Sequence, residues 1–122
     1  LNKREYDKKG NLISEAYYEL HGGKDILVYK KEYKYDKRNN RIQVAYYKIQ
    51  DGNKILLWRN EYKYDKRNNK IYQAEYTTKY GEEVLLWEYK YKYKYNSENK
   101  LVCKEHYKII DGEEVLINKQ EY

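Results

Sequence analysis

The sequence predicts an all-β protein, an antiparallel meander of about eight strands made from four tandem β-hairpin repeats. Three observations predict it. A nine-residue string, Glu-Tyr-Lys-Tyr-Asp-Lys-Arg-Asn-Asn, runs from Glu32 to Asn40 and returns unchanged from Glu61 to Asn69. Self-similarity at a fixed spacing marks a repeat architecture. Turn-forming residues punctuate the chain too often for helices, and the stretches between them alternate apolar with charged side chains instead of keeping a helical period.

Overlaying the copies gives columns. The anchor tyrosines are Tyr6, Tyr35, Tyr64 and Tyr95, at steps of 29, 29 and 31 residues. Gly10, Asn39, Asn68 and Asn99 follow, then the β-branched column Ile13, Ile42, Ile71 and Val102. Tyr18, Tyr47, Tyr76 and Tyr107 are the same residue in every copy, and Gly23, Gly52, Gly81 and Gly112 close each half-repeat. The extra two residues before the last copy add one Tyr-Lys unit between Trp87 and Tyr95. An even insertion leaves every side chain on its own face of a strand, whereas an odd one would turn them all over. The whole chain, 1–122, reads as one repeat domain, with units at approximately 4–31, 32–60, 61–90 and 91–122.

In chain order, residues 1–9 read as a strand ending in the turn Asp7-Lys8-Lys9-Gly10. There Asp bonds back to the chain, and Gly accepts positive φ without a Cβ penalty. Asn, the next most tolerant residue in that conformation, replaces Gly in later copies. Return strands follow at Leu12–Leu20, Arg41–Gln50, Lys70–Lys79 and Leu101–Ile110, rich in the Tyr, Ile and Val that suit a pleated surface. Gly22-Gly23, Asp51-Gly52, Tyr80-Gly81 and Asp111-Gly112 form the second set of hairpin turns. Forward strands run Asp25–Asp36, Lys54–Asp65 and Glu83–Asn96, and Glu113–Tyr122 begins another.

Simple alternation puts Leu56, Trp58, Tyr62 and Tyr64 on one face, opposite Arg59, Glu61 and Lys63. It makes Leu85, Trp87, Tyr89, Tyr91, Tyr93 and Tyr95 an unbroken apolar-aromatic ladder. Ile55, Leu57, Val84 and Leu86 add apolar groups on the second face, as if the Gly-turn end were covered on both sides. Such a meander lies open as a weakly curled single layer or closes into an up-and-down barrel with the ladder inside. The strongly negative mean hydropathy favours the open form. An open sheet leaves its terminal strands unpaired, which predicts weak edge-to-edge self-association.

Leu, Ile, Val and Phe supply only 24 of 122 residues, whereas 19 tyrosines and two tryptophans bring large area with a polar end. The net charge of +6 is dispersed as alternating Lys and Glu, the pattern of a solvated face. With 20 acids against 26 bases no single-sign groove is evident, which argues against nucleic acid. No apolar run is long enough to span a bilayer. The chain opens on Leu1 instead of Met, the mark of a processed product, so export is the expectation.

No catalytic, metal or cofactor constellation is legible. Cys103 and His106 lie three apart on one strand and point to opposite faces, and His21 sits near a turn in another copy. The recurring acids Asp7, Asp36 and Asp65 occupy turn positions that backbone bonding explains. The one candidate binding surface is the row Trp58, Tyr62, Tyr64, Trp87, Tyr89, Tyr91 and Tyr93. Beside lysines, these rings are either the packing of a sheet poor in aliphatics or a platform for stacking a glycan or docking another protein.

The turn Tyr6-Asp7-Lys8-Lys9-Gly10-Asn11-Leu12 resembles the YD repeats of bacterial Rhs and toxin-complex proteins and of teneurins, which build spiralling β-hairpin shells. It departs from them in keeping the Gly only in the first copy and in its longer period. The pattern from Trp58 through Glu61-Tyr62-Lys63-Tyr64-Asp65 is more similar to tandem W…KYxYD repeats of small secreted Bacteroidetes-type proteins of unknown function. The resemblance implies a secreted or surface-exposed bacterial scaffold, structural or adhesive, with no catalytic residues to carry over. The alternative it leaves is a carbohydrate-binding module that uses the Tyr/Trp face.

Overall fold

The computed structural model describes residues 2–122; Leu1 lies outside them. Nine strands follow one another in a single antiparallel sheet, each hydrogen-bonded to its sequence neighbours. They are β1 (Asn2–Tyr6), β2 (Leu12–His21), β3 (Lys24–Tyr35), β4 (Arg41–Gln50), β5 (Asn53–Tyr64), β6 (Lys70–Lys79), β7 (Glu82–Tyr95), β8 (Leu101–Ile110) and β9 (Glu113–Glu121). Nine replaces the expected eight or so because Glu113–Glu121 is a full strand. β1 and β9 do not pair, so the sheet is open and the barrel alternative falls. Among the described residues no helix occurs, and so none is long and apolar enough to cross a membrane.

Two turn types alternate. At Asp7 the backbone amide of Gly10 donates to the Asp7 carbonyl at 3.1 Å, and that of Asp7 donates to the Asn11 carbonyl at 2.9 Å. The same bonds recur at Asp36, Asp65 and Asn96. The left-handed position is filled by Gly10 (φ 86°), Asn39 (64°), Asn68 (63°) and Asn99 (60°), the role those columns predict. The opposite turns are two-residue loops, with His21 paired to Lys24 and Gln50 to Asn53. Both central residues have positive φ: 57° and 82° at Gly22-Gly23, 52° and 78° at Asp51-Gly52. This is the twist that flanking strands demand of a tight hairpin. Asp111-Gly112 repeats Asp51-Gly52, and Tyr80, also at 52°, adopts the same conformation without the tolerance of Gly, Asn or Asp.

Every hairpin also carries one unpaired residue. Tyr35 pairs with Arg41 and Lys34 with Gln43, which leaves Ile42 as a bulge; Ile13, Ile71 and Val102 repeat it. Near the Gly turns, Tyr46 pairs with Trp58 and Tyr47 with Leu56, leaving Leu57 extra; Val28, Leu86 and Ile117 match it. A bulge re-aims one strand against its neighbour. Leu56 therefore faces Tyr47 on the side away from Trp58, and Leu85 faces Tyr76 away from Trp87. The unbroken ladder expected from alternation is corrected on this point: it stops at Trp58 and Trp87.

The layer has no conventional core. Its accessible surface is 8832 Å², against about 7,100 Å² for a compact monomer of this mass. No large side chain is fully buried, and the most enclosed residues are small: Ala45 and Ala74 at 0 % exposure, Ala16 at 7 %. Ala45 lies between Glu32 and Arg59, and Ala74 between Glu61 and Glu88, so long charged stems arch over each alanine. The Gly-turn end is not covered within the chain, since Leu20, Leu86 and Ile117 are 71 %, 48 % and 49 % exposed.

Candidate functional site

The register divides the sheet into two faces. Tyr33, Val44, Asn60, Glu75 and Trp87 line up strand to strand on one, the aromatic face. Glu32, Ala45, Arg59 and Tyr76 line up on the other. All seven candidate stacking residues, Trp58, Tyr62, Tyr64, Trp87, Tyr89, Tyr91 and Tyr93, are brought to the aromatic face. They do not form one platform, because Gln73, Glu75 and Thr77 of β6 stand between β5 and β7 on that face.

The first cluster crosses three strands. Tyr29 and Tyr46 stack with centroids 5.5 Å apart and planes 6° from parallel, and Tyr46 and Trp58 follow at 5.7 Å and 28°. Strands lie about 4.8 Å apart, so rings stacked at this spacing stand upright on the sheet and offer their edges to water. Lys31 Nζ lies 5.9 Å from the Trp58 ring centre. The second cluster links Trp87 to Tyr89 (5.2 Å), Tyr89 to His106 (5.0 Å) and His106 to Tyr91 (4.4 Å, 16°). Tyr29, Tyr46 and His106 are the members that reading one strand at a time does not find. Their signal is the cross-strand register, which the bulges set.

The remaining candidates are fixed by their hydroxyls or by cations. Tyr35, Tyr64 and Tyr93 donate to the carbonyls of Leu12, Arg41 and Lys70 at 2.7, 3.0 and 2.8 Å. The bulges at Ile42 and Ile71 turn the base beside each, Arg41 and Lys70, onto this face. Arg41 then covers Tyr33 at 4.4 Å, and Lys70 covers Tyr62 at 5.1 Å while bonding Gln73 at 3.0 Å. Gln73 donates onward to the Tyr91 hydroxyl at 2.8 Å. Tyr33 donates to the Glu15 carboxylate, and burial together with that carboxylate pushes its phenol well above the ordinary value. On the charged face Tyr72 does the same with Glu88, for the same reasons.

His106 is the titratable member of the aromatic face. Burial lowers its imidazole below the ordinary value, with Lys104 acting the same way, and its Nε2 is buried without a hydrogen-bond partner. Cys103 is buried on the opposite face, across from Lys94 and Glu121, so the two cannot meet. His21 stands exposed beside Glu19 at 3.1 Å. Among the described residues no group of three or more His, Cys, Asp or Glu is gathered as a metal site.

The turn asparagines and aspartates knit the repeats together. Asp7 Oδ1 accepts the amides of Lys9 and Asn11, both at 2.9 Å, and Asp36 and Asp65 act alike. Asn11 Nδ2 donates to Asn39 Oδ1 at 3.0 Å, and Asn40 Nδ2 to Asn68 Oδ1 at 2.9 Å, joining successive turns. At the fourth turn the two-residue insertion moves Asn99 outward. Asn69 donates to the Tyr95 hydroxyl instead, and Arg67 reaches Asn99 Oδ1 at 3.2 Å.

No protein-family model matches the chain, and no curated protein does. Solved structures do resemble it. A DUF3836 family protein from Bacteroides vulgatus superposes with a TM-score of 0.56 at 21% identity, over 70% of this chain and 89% of that one. A protein of unknown function from Bacteroides fragilis superposes with a TM-score of 0.59 at 14% identity, over 100% of this chain and 91% of the other. At these identities the likeness is one of fold: an open, all-β antiparallel meander.

Proposed function

We propose that the chain is a non-catalytic structural or adhesion module of a bacterium, exported to the cell surface or beyond, of the tandem β-hairpin kind that YD repeats exemplify. One observation carries the structural half of this reading: the faces of the aromatic rings are already occupied. Tyr29, Tyr46 and Trp58 stack on one another, and Arg41, Lys70 and Arg67 cover Tyr33, Tyr62 and Tyr95. A sugar needs an open ring face lying along the sheet. These rings instead act as the sheet's substitute for a core, each cross-strand pair contributing roughly 0.5–1.5 kcal/mol beyond its area. The Bacteroides structures of the same fold support the bacterial setting.

The test is a titration with a panel of neutral polysaccharides, followed by tryptophan fluorescence, on the natural chain and on Trp58→Ala and Trp87→Ala. The expected result is no saturable response, with both variants losing thermal stability. Saturable binding abolished by either substitution, at unchanged far-UV circular dichroism, would establish the aromatic face as a carbohydrate site and overturn the proposal.

A further inference from the structure

The Asp turns do more than reverse the chain. In each, the carboxylate is folded inward onto backbone amides and is followed by two cations: Lys8 and Lys9, Lys37 and Arg38, Lys66 and Arg67. All six are exposed. The turns are held in a row by the Asn11–Asn39 and Asn40–Asn68 bonds, and by Arg38, which donates to the carbonyls of Asp65 and Lys66. Successive turns lie two strands apart, about 10 Å. The fourth turn, Asn96-Ser97-Glu98-Asn99, has no cation of its own and carries Glu98, so the basic row ends there. The opposite rim leans to the other sign: Asp25, Asp51, Glu82, Glu83, Asp111, Glu113 and Glu114 stand at or beside the Gly turns, against Lys24, Lys54 and Lys79. The modest net charge of +6 thus conceals a polarised molecule.

We infer that the rim formed by the three Asp turns binds a linear anionic polysaccharide, one whose carboxylates or sulfates recur about once per disaccharide. The match is one of charge and period. Three evenly spaced basic steps, with Lys8, Lys9, Lys37 and Lys66 exposed and Arg38 and Arg67 engaged by the next turn, fit a stiff chain with widely spaced anions better than a nucleic-acid strand. The phosphates of such a strand are more closely set, and its bases would meet rings already stacked on one another or covered by cations. The site is a rim of turns with only open hollows between them, one lined by Lys37, Arg38, Tyr64 and Lys66, so affinity comes chiefly from released counterions and falls steeply with salt. This deepens the adhesion reading by naming the ligand class. It does not involve the aromatic face, so its failure leaves the Trp58 and Trp87 result standing.

The experiment compares the natural chain with two triple variants. One is Lys8→Gln, Lys37→Gln and Lys66→Gln on the basic rim; the other is Lys48→Gln, Lys79→Gln and Lys108→Gln toward the opposite rim. Each is titrated with sized hyaluronate, which carries one carboxylate per disaccharide, with dextran, with single-stranded DNA and with phosphatidylserine vesicles at about 50 mM salt, then at higher salt. The expected result is hyaluronate binding that weakens roughly tenfold or more in the first triple and little in the second, and fades as salt rises. Dextran should not bind. Absence of hyaluronate binding overturns the inference, as does equal weakening in both triples or stronger binding to the DNA or the vesicles. Circular dichroism of both triples guards against an unfolded variant; should the first triple unfold, the single variants Lys37→Gln and Lys66→Gln, each expected to weaken binding measurably, decide the matter.

Discussion

The hydroxyl of Tyr93 donates to the carbonyl of Lys70 at 2.8 Å, taking the place that Tyr64 holds against Arg41 and Tyr35 against Leu12. In the repeat alignment that place belongs to Tyr95. The two inserted residues are absorbed by moving the whole turn outward one Tyr-Lys step, so Tyr93 inherits the inter-repeat bond while Tyr95 meets Asn69. Tyr64→Phe and Tyr93→Phe should therefore each cost about 1 kcal/mol, the net worth of such a bond. Urea unfolding would check it. A loss at Tyr64 with none at Tyr93 would show that the third repeat does not keep the contact.

Strained turn residues give a second test. Tyr80 sits at φ 52° with its side chain fully exposed, so it carries a left-handed cost with no packing in return. Tyr80→Asn should stabilise the chain by about 1 kcal/mol. Asn68→Gly relieves the left-handed cost but loses the bond from Asn40, so the two should offset to within about 1 kcal/mol. Asn68→Val also loses the bond and should cost at least about 1–2 kcal/mol, because a β-branched side chain resists that conformation. Thermal midpoints of the three variants would rank them.

These two cases mark how far the sequence reaches. The return-strand bounds at Arg41–Gln50, Lys70–Lys79 and Leu101–Ile110 are those the turn chemistry dictates, and the Asn columns occupy the conformations expected of them. Turns are local, so a handful of residues determines them. The bulges at Ile42 and Leu57 depend on how one strand meets the next, and alternation along a single strand carries no trace of that. Hence the aromatic face was legible as a row, while its division into Tyr29–Tyr46–Trp58 and Trp87–Tyr89–His106–Tyr91 was not.

Acid sensitivity follows from the Asp turns. The amides of Asn11 and Asn40 hold the Asp7 and Asp36 carboxyls below the ordinary range, and at Asp65 similar bonds outweigh partial burial. A depressed carboxyl contributes stability that is present above its unfolded value of about 3.9 and lost as pH falls through the folded one. Stability should thus decline below about pH 4. Asn96 makes the same two amide bonds without a charge, at 2.9 and 3.0 Å. Replacing Asp7, Asp36 and Asp65 by Asn should therefore keep the fold and flatten this acid limb, as denaturation midpoints from pH 2 to 6 would show.

His106 adds a second, higher limb. Its folded value lies below the ordinary value of about 6.5, so the unfolded chain takes up the proton first as pH falls. Stability from this site is complete above about pH 6.5 and erodes below it. Tyr46 occupies the equivalent column, so His106→Tyr should preserve the ring row and remove the erosion between pH 5 and 7. An unchanged pH profile in that variant would mean the imidazole is not held neutral between Tyr89 and Tyr91.

An open single layer is the central claim, and its free edges follow from it: β9 is exposed throughout and pairs with β8 alone, so alternate amides point to water. The same edges would allow weak strand-to-strand pairing between molecules at high concentration. Residue-resolved hydrogen exchange on dilute monomer tests the claim most directly. The account predicts alternating protected and unprotected amides through residues 113–121, against continuous protection through 58–61 of β5, where that strand is paired with both β4 and β6. Protection through 113–121 as uniform as that in β5 would mean that β9 has a partner and that the sheet is closed.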